Sequence, residues 1–163
     1  MKAFKILACV VALGSAACAQ KPSSHYSVYI DPTMNAYDTD AMLSGLQSWE
    51  QSVNVTFDTK IGLPFTTEEH QIVLHASTKA DVAKRGVEGD IGVTFRDEEQ
   101  DRADIYYGLD LTNESTLHVE IRHELGHAMG LSHTGAGSLM CANKECAAEN
   151  ITSTDIAQYN SLR

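Results

Sequence analysis

Alternating apolar and polar residues predict five strands along the chain, because a period of two is typical of a half-buried strand. His25–Ile30 has this pattern, with Tyr26, Val28 and Ile30 on one face. Four later segments are predicted to be strands on similar grounds: Val53–Phe57, Gln71–His75, Ile91–Phe95 and Ala103–Tyr107. Ile91–Phe95 contains a glycine and is flanked by charged residues, which favours a position at the edge of a sheet.

Three other segments repeat their apolar residues every three or four positions, which predicts amphipathic helices. The first, capped by Asp38 or Thr39, has an apolar stripe that consists of Met42, Leu46, Trp49 and Val53. The second begins near Ser115 or Thr116 and has a stripe of Leu117, Ile121, Leu125 and Ala128. The third is Thr152–Leu162. Asp81–Glu88 is predicted to be a polar connection, so the pattern as a whole indicates an α+β fold with three helices.

Length and composition indicate one domain with a single packed core. The chain has 163 residues, of which 43% are hydrophobic. Its formal net charge of −10 makes nucleic acid and anionic membrane surfaces poor electrostatic partners. The domain is predicted to cover residues 20–163 and to be a monomer.

The N-terminus is predicted to be a signal peptide, residues 1–19. Lys2 and Lys5 precede a short apolar run, Ile6–Ala17, and Ala17-Cys18-Ala19 has the small-x-small form of a cleavage site. A competing prediction is lipidation of Cys18 as the first residue of a lipoprotein. The protein is therefore expected to be exported, either free outside the cytoplasm or anchored to the cell envelope by that lipid.

Export also affects the interpretation of Cys141 and Cys146, the two cysteines outside the leader. In an oxidising compartment they are predicted to form a disulfide that closes a small loop. Two unpaired thiols are the alternative.

The segment His123–His133 has the spacing of a catalytic zinc site. His123 and His127 are four residues apart, so on a helix they share one face. Gly130 can end that helix, and His133 can supply a third ligand after the turn. Three imidazoles leave the fourth zinc position open to water, and Glu124 stands beside the first ligand as a candidate general base.

These residues resemble the long zinc signature of the metzincin metallopeptidases, with Met140 placed as their methionine turn. Thr134 and the final helix are similar to the matrixin branch, the group of the matrix metalloproteases. The resemblance implies a zincin-like fold with a twisted, mainly parallel five-stranded sheet and an antiparallel edge strand. It also implies a zinc endopeptidase that hydrolyses proteins or peptides, with Met140 as an apolar floor beneath the metal.

Some features differ from the matrixin pattern. Cys141–Cys146 replaces a segment that lines the matrixin specificity pocket, and the matrixin structural zinc and calcium motifs are missing. The acidic segment Arg96–Asp104 could bind Ca²⁺, but without EF-hand spacing a solvated loop is favoured. Two other functions stay open. One is a zinc-binding or adhesion protein without turnover, and the other is a toxin-like or wall-directed hydrolase of narrow specificity.

Overall fold

The structure is a computed structural model that describes residues 24–64, 70–86, 92–109, 114–143 and 146–163. The predicted signal peptide and the alternative lipid site at Cys18 lie outside these residues, as does Ile91. Within the described ranges, no helix combines the length and the apolar character needed to cross a membrane.

Five strands form one mixed sheet with the order β2-β1-β3-β5-β4. The first four strands in that order run parallel, and β4 runs antiparallel to β5 at the edge. The predicted antiparallel edge strand is therefore confirmed, as is the mainly parallel five-stranded sheet. The strands are β1 (His25–Ile30), β2 (Thr56–Ile61), β3 (Gln71–Ser77), β4 (Gly92–Asp97) and β5 (Arg102–Gly108).

The predicted second strand, Val53–Phe57, was placed too early. Val53 caps the end of the preceding helix and Val55 is buried in the core, so their apolar character comes from packing before the strand begins. The observed strand, β2, lies at the edge of the sheet opposite β4 and is mostly polar and partly exposed. An edge strand of this kind lacks the apolar alternation that reveals a half-buried strand.

The described residues contain four helices, not three: α1 (Ala36–Ser52), α2 (Lys79–Arg85), α3 (Glu114–Ala128) and α4 (Ser153–Ser161). Helix α2 is an error of the prediction, which made this segment a polar connection. Val82 is its only buried residue, so its sequence has no apolar stripe that would indicate a helix. Its cap was readable, since the Thr78 side chain accepts a hydrogen bond from the Asp81 amide. The first helix also begins earlier than predicted, with Asn35 as its cap.

The core lies between the sheet and helices α1 and α3. Trp49 of α1 is fully buried, and its indole nitrogen donates to the carbonyl of Arg122 in α3 at 2.9 Å. The hydroxyl of Tyr107 in β5 donates to the Ile121 carbonyl at 3.2 Å, which joins the sheet to the same helix. Helix α3 is thereby fixed beside the β5–β4 edge of the sheet.

Candidate metal centre

Helix α3 carries the first two histidines and ends as the sequence predicts. Gly130 has a φ of +96°, and its amide donates to the His127 carbonyl while the Leu131 amide donates to the Gly126 carbonyl, both at 2.9 Å. These bonds form a Schellman motif, which glycine favours because it adopts positive φ without strain. The turn directs the following segment, with His133, back towards the helix.

The three histidine side chains meet at one point. The Nε2 atom of His127 lies 3.1 Å from the Nε2 atoms of both His123 and His133, and the latter two atoms are 3.3 Å apart. Among the residues that the structure describes, this trio is the only group of three or more potential ligands close enough to share one metal ion. The sequence spacing alone predicted all three members.

The chemistry of the trio fits a metal ion. The carbonyls of Leu139 and Leu131 accept hydrogen bonds from the Nδ1 atoms of His123 and His127, each at 2.8 Å. A neutral imidazole that donates from Nδ1 presents a lone pair at Nε2. Such lone pairs repel one another unless a cation lies between them. Nitrogens about 2.0 Å from one tetrahedral ion would be about 3.3 Å apart, which agrees with the observed distances.

Electrostatics keep His127 in the form that binds metal. Burial lowers the pKa of its ring to about 3, the neighbouring His123 and His133 act in the same direction, and the hydrogen bond with the Leu131 carbonyl opposes them. The imidazole is therefore neutral at physiological pH, as a metal ligand must be. His133 is the most exposed member of the trio.

Glu124 is buried beside the edge strand, with 6% of its surface exposed. The hydroxyl of Thr94 in β4 donates to its Oε2 at 2.5 Å and also lies 3.1 Å from its backbone carbonyl. Gly92 lies two residues earlier in β4. A Cβ at that position would be only 2.7 Å from the Glu124 Cγ. The edge strand therefore shapes the position of this carboxylate.

Met140 is fully buried against α3. A Cβ at Gly126, between the first two histidines in the helix, would lie 2.5 Å from the Met140 sulfur. The Asp155 carboxylate of α4 holds the turn from the other side by accepting bonds from the Leu139 and Met140 amides at 3.0 and 3.1 Å. The methionine turn thus connects the last helix to the carbonyl that orients His123.

The two cysteines lie at disulfide distance, with their Cα atoms 6.0 Å apart. The loop they close is held to the preceding segment, because the Gly137 amide donates to the Cys146 carbonyl at 2.8 Å. The Thr134 amide likewise donates to the Met140 carbonyl at 2.8 Å. The segment after His133 and the methionine turn therefore form one hydrogen-bonded unit.

The acidic residues of Arg96–Asp104 contact different partners. Asp97 accepts from the amides of Glu99 and Gln100 in its own turn, whereas Asp101 pairs with His70. Asp104 binds His75 and Arg102, each at 2.6 Å. His25, a further histidine outside the trio, contacts the Thr56 hydroxyl.

A scan of the chain against protein-family models and a search of curated proteins each found no match. We therefore infer the function from the geometry of the site. Two residues around that site, Thr94 and Asp155, were not predicted to belong to it. Asp155 had one readable signal, the capping box it forms with Thr152. For Thr94 there was none, because a single threonine in a strand is ordinary.

Proposed function

We propose that the protein is an exported zinc endopeptidase of the metzincin type, with a matrixin-like catalytic domain. The observation that carries the proposal is the convergence of three imidazole nitrogens within 3.3 Å, next to a buried glutamate. Three nitrogen ligands with an open fourth position are typical of catalytic zinc, whereas structural sites are usually closed by four protein ligands.

The proposed metal ligands are His123, His127 and His133. When bound, zinc supplies a Lewis acid that lowers the pKa of a water molecule and polarises the scissile carbonyl. Glu124 takes a proton from the attacking water on a carboxylate oxygen and passes it to the amine that leaves. Met140 touches no reacting atom in this scheme and supports the ligands by packing against α3.

The substrate in this proposal is an extended peptide. Strand β4 is an edge strand whose paired side faces β5, and a peptide can add to such an edge through backbone hydrogen bonds. Thr94 of the same strand contacts the Glu124 carboxylate, and Gly92 lies next to the Glu124 Cγ. A peptide on β4 would therefore lie near the proposed base.

The test is digestion of a peptide library by the purified chain from residue 20, with and without a zinc chelator. We expect cleavage that the chelator abolishes and that added zinc restores. Metal binding without cleavage of any peptide or protein would contradict the proposed hydrolysis and would instead support a zinc-binding protein.

A matched variant separates the base from the metal. Glu124→Gln keeps the size of the side chain but cannot take up a proton in the same way. We expect it to retain zinc and to lose at least about 100-fold in kcat, the lower range for general acid–base catalysis. Hydrolysis at the parental rate would show that Glu124 is not the base.

A further inference from the structure

We propose that Thr94 is a positioning residue for the Glu124 carboxylate, an inference that rests on the proposed role of Glu124 as general base. The hydroxyl of Thr94 is 2.5 Å from the Glu124 Oε2, at the short end of the range for an O–H···O hydrogen bond. Thr94 belongs to β4 and Glu124 to α3, and the two residues are 30 positions apart in the sequence. Thr94 thus restrains one of the two carboxylate oxygens of Glu124.

The threonine hydroxyl has only one hydrogen and two acceptors within reach. The second acceptor, the backbone carbonyl of Glu124, lies farther away at 3.1 Å. The carboxylate oxygen is nearer, so it is the better acceptor for this hydroxyl. We therefore take Oε2 as the acceptor, and the contact with the carbonyl of the same residue keeps Thr94 against Glu124.

The backbone around Thr94 is well placed to hold the hydroxyl still. Thr94 is paired with Ile105 in the antiparallel register of β4 and β5, and threonine is stiff at χ1 because it branches at Cβ. Gly92 lies on the same face of β4, two residues earlier, and its missing Cβ leaves the space that the Glu124 Cγ needs. Together the two residues restrict the position of the Glu124 side chain.

This restraint on the Glu124 carboxylate matters because glutamate has a long, flexible side chain. A general base must lie within hydrogen-bond reach of the proton it removes. Misplacement of a reacting group by about 1 Å can cost about 100-fold in rate. Removal of the Thr94 hydroxyl should therefore slow the chemical step. It should leave peptide binding and the zinc ligands unchanged.

The experiment compares Thr94→Val, which keeps the shape of the side chain, with Thr94→Ser, which keeps the hydroxyl. Thr59→Val is the matched control, because Thr59 is a threonine on β2 at the opposite edge of the sheet. A peptide cleaved by the parent is used to measure kcat and KM separately. Zinc content and thermal unfolding are measured on every variant.

We expect Thr94→Val to lower kcat by about 10- to 100-fold with KM within about twofold, and Thr94→Ser to recover kcat to within about threefold of the parent. Zinc content should match the parent in both variants, and Thr59→Val should be fully active. If the valine variant does not fold, Thr94→Ala replaces it in the same comparison.

Parental kcat in the valine variant would overturn the inference, and so would a serine variant as slow as the valine variant. In either case the parent remains active, so the proposed function stands. A parent that shows no chelator-sensitive hydrolysis would overturn the proposed function and the role of Thr94 together.

Discussion

At the scale of single residues, the candidate site depends on groups that orient the histidines as much as on the histidines themselves. The Leu139 carbonyl fixes the ring of His123, and the Leu139 amide is held by Asp155. The ligands were predictable because they lie within eleven consecutive residues, where helical spacing determines geometry. The contacts of Asp155 with the methionine turn and of Thr94 with Glu124 were not predictable, since they join segments distant in sequence.

We predict that Asp155→Asn destabilises the fold by about 2–4 kcal/mol at neutral pH. Asp155 is fully buried and accepts bonds from the amides of Leu139, Met140 and Thr152 and from the Thr152 hydroxyl. Asparagine has one acceptor oxygen, so its NH₂ group would face amide donors. Urea unfolding of parent and variant gives the difference in free energy.

The same difference should depend on pH. Burial disfavours the charged form of Asp155, but the hydrogen bonds from Thr152 and the two turn amides outweigh it and lower its pKa below the usual value. A lowered pKa in the folded state gives stability that is present above about pH 4 and is lost as the pH falls further. The difference in unfolding free energy between parent and variant should therefore become smaller in acid. A difference that becomes larger in acid would contradict this account.

At the scale of secondary structure, prediction succeeded where an element buries one face and failed where it does not. Strand β1 and helix α3 have regular apolar patterns because each packs on the core. Helix α2 buries one residue and β2 is a partly exposed edge strand, so neither has a strong periodic signal. The end of α3 was predictable from Gly130 because its turn needs a conformation that glycine supplies.

We predict that Gly130→Ala costs about 1–3 kcal/mol in stability, because its φ of +96° is unfavourable for alanine. The new Cβ would also lie 3.1 Å from the Arg96 guanidinium. Since the adjacent Leu131 carbonyl orients His127, zinc affinity should fall as well. Calorimetry and zinc titration measure the two effects.

Gly135→Ala is the matched control for that variant. Gly135 lies only five residues further along, but a Cβ there would meet no atom within 4 Å. We expect its stability and zinc affinity to match those of the parent. Equal behaviour of the two alanine variants would rule out the backbone explanation.

At the scale of the whole molecule, the candidate site connects the sheet edge, α3, the methionine turn and α4. A ligand that binds only the folded state stabilises every element that builds its site. We therefore predict that removal of zinc by a chelator lowers the melting temperature by about 10 °C or more. Differential scanning calorimetry on metal-loaded and stripped protein tests this.

His133→Ala is the control for metal removal. It deletes the most exposed ligand while α3 and its two histidines remain. We expect weaker zinc binding and a much smaller response to the chelator than in the parent. An equal response in parent and variant would place the stabilising metal somewhere other than the histidine trio.

The bond from Asp155 to the methionine turn has a consequence for the order in which the protein can mature. Asp155 follows Leu139 by 16 residues and Met140 by 15. Folding of the segment that carries the histidines therefore depends on a residue that lies beyond it in the chain. We expect the centre to be complete only when α4 packs on the turn. A chain that ends before Asp155 would have all three histidines without the contact that holds Leu139 and Met140.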